Sequence, residues 1–115
     1  MARQLRTDQE IDAFIAAVIP EARHHAPLVA NIIQPLAAAV RARLNLSRDR
    51  VEVFERNGHL ARTCWVTLAG RRYVFSYNYA RAVIDLREGT TRGATIFQFR
   101  NATTALQIAA QVRRL

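Results

Sequence analysis

The stretch VEVFERNGHLARTCWVTLAGRRYVFSYNY, Val51–Tyr79, alternates apolar and polar residues through three segments, separated by Asn57-Gly58 and Ala69-Gly70. Asn-Gly tolerates positive φ at both central positions of a type I′ turn, whose twist matches that of the strands it joins. The pattern predicts an antiparallel three-strand meander. Pairing Arg56 with His59 places Glu55 opposite Leu60, Val53 opposite Arg62 and Val51 opposite Cys64. One face then carries Val51, Val53, Leu60, Cys64, Val66 and Leu68, joined by Tyr73, Phe75, Tyr77 and Tyr79, and this is the expected core face. The other face carries Glu52, Phe54, Ala61, Thr63, Trp65, Thr67, Val74 and Ser76. It is half polar, but Phe54, Trp65 and Val74 are too large to ignore there.

Before the meander the period changes from two to that of a helix. Thr7 with Glu10 three residues on is a capping-box pair. Ile11, Phe14, Ile15, Val18 and Ile19 form one apolar stripe, so a first helix is expected over Asp8–Ile19, closed by Pro20. Leu28, Ile32, Ile33, Leu36, Val40 and Leu44 share a second stripe. Because proline removes a backbone donor, this stripe is divided into helices over Pro27–Gln34 and Pro35–Asn45. His24-His25 falls in the turn before it. After the meander, Ala82–Glu88 and Ala94–Arg100 read as fourth and fifth strands, and Asn101 as the cap of a closing helix with Ala105, Ile108, Ala109 and Val112 inward. The expected fold is α+β: N-terminal helices, a five-stranded, mostly antiparallel meander, and a C-terminal helix packed on one face, in a single domain over residues 1–115.

Half of the residues are apolar, which excludes a disordered chain. The apolar runs are broken by Pro20, Pro27, Pro35 and charges, so no membrane span is expected. Neither is a secretory signal, since MARQLRTDQE has no apolar run. One cysteine, Cys64, can neither close an internal disulfide nor supply a zinc quartet, and the cytoplasm is the simplest location. All seventeen basic residues are Arg, and the net charge is +8. The excess sits in the second half, where residues 41–100 carry twelve Arg against five acids. Such a field favours nucleic acid or acidic partners, or else reflects Arg on solvated faces.

No catalytic residue is assigned. Cys64 points to the core and His59 to the other face, so they do not form a nucleophile–base pair. Glu52 and Glu55 lie on opposite faces of one strand, and adjacent histidines at 24 and 25 do not converge on a metal. Phosphate-loop, zinc-protease and nucleophile-elbow motifs are missing from the sequence, and no cofactor is expected. Tyr hydroxyls need partners when buried, so Tyr73, Tyr77 and Tyr79, with Arg62, are candidates for lining a small-molecule pocket between sheet and helices. Phe54, Trp65 and Val74 are candidates for a two-fold dimer interface.

The arginine-rich segment RRYVFSYNYARAVIDLRE, preceded by helices, resembles the RelE/ParE toxins, small basic proteins that cleave messenger RNA or bind gyrase. The likeness covers Arg41–Glu88, lacks that family's strand before the helices, and leaves a further strand and helix unaccounted for. It implies an RNA-directed protein using Arg48, Arg50, Arg71 and Arg72 on phosphates. In length, composition and the Val51–Asn78 stretch, the whole chain is similar to small proteins of integron gene cassettes. That resemblance implies a compact, often oligomeric α+β protein of unassigned activity. The reading preferred here is a non-catalytic binding module, a homodimer with a small-molecule pocket.

Overall fold

The computed structural model describes residues 2–56 and 59–115; the side chains of residues 55, 56 and 59–62 are outside the description. Among the described residues, the chain runs β1 (Ala2–Leu5), α1 (Asp8–His25), α2 (Ala30–Arg43), β2 (Arg50–Arg56), β3 (His59–Leu68), β4 (Arg71–Asn78), β5 (Val83–Glu88), β6 (Thr95–Phe99) and α3 (Ala105–Arg113). The α+β class stands, with six strands where five are expected. All neighbours are antiparallel and follow chain order, so β1 and β6 are the edges of an open meander.

The additional strand is β1. ARQL has one large apolar residue and no alternation, so nothing local marks it. It forms because β2 presents an edge to it: Leu5 pairs with Val51 and Ala2 with Phe54, and Leu5 becomes fully buried.

Both helix divisions at proline are corrected. Pro20 lies inside α1 and Pro35 inside α2. Each proline orphans one carbonyl four residues earlier, but Pro20 and Pro35 sit on exposed helix faces where water can satisfy it. His24 and His25 therefore belong to the last turn of α1, exposed, rather than to a preceding turn. Thr7 caps α1, its Oγ1 accepting from the Glu10 amide at 3.1 Å, while the Glu10 carboxylate accepts from the amide of Arg6. Leu28, expected on the α2 stripe, lies before that helix and is 62% exposed.

Asn101 is a cap, though not of the helix that follows it. α3 is capped by Thr104 and Gln107 in a full capping box. Asn101 instead accepts from the Asn31 amide and donates to the Pro27 carbonyl. Helix α2 has no side-chain cap of its own at Val29, so a residue seventy positions away supplies one.

The meander keeps its predicted faces but not its whole register. Arg56 opposes His59 and Glu55 opposes Leu60 as expected, and the Asn57-Gly58 turn between them lies outside the described residues. A bulge between Val53 and Glu55 then shifts the pairing, so Val53 opposes Cys64 and Val51 opposes Val66. The shift is two residues, an even number, so Val51, Val53, Cys64 and Val66 keep the core face. Ala69 (φ 51°) and Gly70 (φ 86°) form the second two-residue loop, with Leu68 opposite Arg71. Ala69 pays the usual penalty of a side chain in left-handed backbone, and its amide is held by Asp49 Oδ1 at 2.9 Å. Asp49 is itself buried and also accepts from the Asn45 amide at 2.8 Å. Burial disfavours its charge, but the amides of Ala69 and Asn45 and the Arg48 guanidinium outweigh this and hold the carboxyl below its ordinary range.

The helices all pack on one face of the sheet and enclose two apolar clusters. Val66, Leu68, Tyr73, Phe75, Leu86 and Phe99 meet α2 and α3 through Ile32, Leu36, Ile108 and Val112. Leu5, Val51 and Val53 meet Ile11 of α1. Full burial of each such side chain contributes about 1.5–3 kcal/mol. Cys64 and Leu44 touch both clusters.

Candidate functional site

Helix α1 stands partly off the sheet. Its stripe is as predicted, yet only Ile11 is buried, while Phe14, Ile15, Val18 and Ile19 remain half-buried. Between this helix, α2 and the sheet lies a cavity of about 280 Å³. Its α1 wall is Ile11, Phe14, Ile15, Val18 and Ala22; its α2 wall includes Ile33, Leu36, Ala37 and Val40; the sheet contributes Val51, Val66, Phe75 and Ile84. These are residues of one apolar stripe per helix and one strand face, brought near one another without closing.

Polar groups enter at the margins. Arg41 lines the cavity from α2, and its guanidinium is gripped by two carboxylates of α1. Nη1 donates to Asp8 Oδ1 at 2.8 Å, and Nε lies 3.0 Å from Asp12 Oδ1. The Asp8 hydrogen bond, against a smaller desolvation effect, raises the Arg41 pKa above its ordinary value. Glu21 and His25, one turn apart on α1, line the cavity and approach to 3.7 Å. Thr63, Ser76, Tyr77 and Tyr79 complete the lining where β3 parts from β4. The rings of Tyr77 and Tyr79 meet edge to face, 4.6 Å apart.

Of the four predicted pocket residues, Tyr77 and Tyr79 line the cavity. Tyr73 does not: it is 2% exposed, packed in the larger cluster, with the Arg71 guanidinium 5.9 Å above its ring. The side chain of Arg62 is outside the described residues. Arg41, Glu21 and His25 were missed, although the sequence carries a signal for them. Each is a polar residue at helical spacing within an otherwise apolar stripe, Glu21 and His25 following Phe14 and Val18, and Arg41 following Ile33 and Ala37.

Cys64 lines the same cavity and is half-buried. Burial pushes its thiol up to about 12, so at neutral pH it is a thiol and not a nucleophilic thiolate. Among the described residues, no three His, Cys, Asp or Glu side chains converge on a possible metal position.

The opposite, helix-free face holds the predicted interface residues in different states. Trp65 and Phe54 are half-buried, the Trp65 ring lying under the Arg72 guanidinium at 5.6 Å. Val74 is already fully covered within the chain, beside Trp65 and Arg87 in register, so it offers no surface to a second copy. Asp85, buried on this face, receives hydrogen bonds from Asn78, Arg87 and Gln98 at 3.2, 3.2 and 2.8 Å. The four arginines expected on phosphates divide between surfaces. Arg48 lies 3.3 Å from Asp49, and Arg71 donates to Glu88 at 2.7 Å at the rim of the core face. Arg50 and Arg72 flank Thr67 on the helix-free face. Among the described residues, no helix is long and apolar enough to cross a membrane.

A family model described as an integron cassette protein VCH_CASS1 chain matches residues 11–109. The match takes in both cavity-lining helices from Ile11 onward, strands β2 to β6, and α3 as far as Ala109. No curated protein matches the chain.

Proposed function

The chain belongs to the integron cassette protein VCH_CASS1 family, and from that premise we propose that it is a binding protein for a largely apolar small molecule, held between the sheet and helices α1 and α2. The observation that carries this reading is the cavity of about 280 Å³ with apolar side chains on three sides. An apolar cavity of about 150 Å³ accommodates benzene, so this one has room for one or two rings. Cys64 is held as a thiol, Arg41 is paired with two carboxylates, and most of the lining is apolar, which favours binding over chemistry. Calorimetric titration with indole and naphthalene tests the reading. One-site binding with a negative heat-capacity change is expected. Neither heat nor a rise in melting temperature at saturating ligand would end it.

Self-association is a second reading, supported by two large aromatic residues, Phe54 and Trp65, half-uncovered on the face that no helix packs against. A second copy would bury both. Trp65→Arg is expected to give a folded monomer in sedimentation where the native chain gives a dimer. An equal mass for the two would remove the dimer, and steeply salt-dependent RNA binding by a native monomer would favour the nucleic-acid reading of Arg50 and Arg72.

A further inference from the structure

The charge on a ligand has to be answered by the walls that enclose it, because an ion taken from water into apolar surroundings without a partner is strongly disfavoured. Among the described lining residues, Arg41 is the one arginine, and it is positioned to receive an anion. It is not free to do so. Asp8 and Asp12, one turn apart on α1, hold Nη1 and Nε at 2.8 and 3.0 Å, and two carboxylates more than offset one guanidinium. Glu21 is the other charged group there, and its neighbour at 3.7 Å is His25 of the same helix. Everything between these margins is hydrocarbon, apart from the Cys64 thiol and the hydroxyls near Tyr77.

We propose that the Asp8–Arg41–Asp12 clamp makes this cavity prefer uncharged molecules of one or two rings to acids of the same shape, by withholding from the ligand the guanidinium that would otherwise recruit an acid. The inference rests on the binding reading above and adds the chemical class of its ligand. A neutral molecule keeps its apolar body against α1, α2 and the sheet, and can place a hydroxyl beside Tyr77. A carboxylate of the same shape finds the Arg41 guanidinium already paired at one margin and Glu21 at the other. The clamp thus has two effects from one set of contacts: it ties the first half of α1 to α2, and it neutralises the cation that faces the cavity.

The test compares three probes of one shape: 1-naphthol, neutral; 1-naphthoate, an anion; and 1-naphthylmethylamine, a cation at neutral pH. Each is titrated into the full chain and followed by probe fluorescence. The native protein is expected to bind naphthol at least tenfold more tightly than naphthoate, and to bind the amine more tightly than naphthoate, because the charges at the margins are on balance acidic. Asp8→Asn/Asp12→Asn keeps the shape of both side chains, releases the guanidinium, and is expected to tighten naphthoate at least tenfold with naphthol changed less than threefold. Adding Arg41→Gln to that pair must abolish the gain, which separates a freed guanidinium from a loosened α1. Naphthoate binding the native chain as tightly as naphthol, or more tightly than the amine, would overturn the proposal while leaving the pocket in place. So would a gain for naphthoate that survives Arg41→Gln, or no gain in a variant that still binds naphthol. If none of the three probes binds the native chain, the binding reading falls and the selectivity with it. A double variant that fails to fold is replaced by Arg41→Gln alone. Under the proposal that substitution leaves naphthoate weak, and a naphthoate affinity equal to that of naphthol would refute it.

Discussion

Replacing Ala37 by Leu tests whether the space beside α2 is real and apolar. Ala37 lines the cavity from a helix that is otherwise well packed through Ile32 and Leu36. Filling all of the roughly 280 Å³ at about 24 cal/mol per Å³ would correspond to roughly 7 kcal/mol, an upper bound because part of the space opens to solvent. Leu adds three carbons. At about 0.8 kcal/mol for each buried methylene, Ala37→Leu should stabilise the chain by about 2 kcal/mol. Ala and Leu are both strong helix formers, so propensity does not confound the comparison. For a domain of this length the gain corresponds to a rise in melting temperature of roughly 6–10 °C. Differential scanning calorimetry measures that rise, and naphthol titration should show at least tenfold weaker binding in the same variant. A site without free space gives the opposite sign, since overpacking costs about 1–3 kcal/mol. A fall in melting temperature for both Ala37→Leu and Ala22→Leu, which enters from the α1 wall, would refute the reasoning.

Asp49→Asn should cost about 2–4 kcal/mol in urea unfolding, because two amides now bonded to a buried carboxylate lose its charge. The carboxyl is held below its ordinary value of 3.8, so its contribution is present above that pH and is lost as pH falls through the lowered native value. Acid unfolding of Asp49→Asn should therefore lack that step, and coincident acid profiles would contradict the assignment. Pro20→Ala should stabilise by up to about 3 kcal/mol by restoring a helical hydrogen bond, measured as a higher urea midpoint. A lower midpoint would mean that α1 needs its proline to pass over the cavity. Gly93→Ala places a Cβ 1.8 Å from the Glu88 carbonyl oxygen. It should cost more than about 2 kcal/mol and disturb the Arg87 hydrogen bond to the Gly93 carbonyl, and unaltered thermal stability would show that the loop yields without strain.

Much of the architecture was legible because it depends on neighbours in the chain. Alternation placed Val51, Val53, Cys64, Val66, Leu68, Tyr73, Phe75 and Tyr77 on the core face, and the bulge near Val53 moved the register by two without turning any of these over. Helical spacing located the stripes of α1, α2 and α3. The two prolines misled, since whether a proline ends a helix depends on which side of the helix its orphaned carbonyl faces, and that is known only once the helix is packed. In the candidate site, Tyr77 was legible because a hydroxyl in a strand of the core face is a local oddity, while Tyr79 lies just past β4 and is 59% exposed. Tyr73, equivalent in pattern, is sealed in the larger cluster, and only its position across from Val66 distinguishes it.

Taken alone, the sequence determined which side of each long helix and of the central strands is apolar, because periods of two and 3.6 residues are written in the order of side chains. Tertiary structure alone decided what those sides meet. β1 is a strand because the edge of β2 lies beside it. Asn101 caps α2 because folding carries it across seventy residues of chain. Asp8 and Asp12 hold Arg41 because α1 crosses α2 there. The cavity exists because the stripe of α1 and the face of the sheet are brought near each other but not into full contact. Distances of this kind are set by the packing of the whole chain, and no local pattern encodes them.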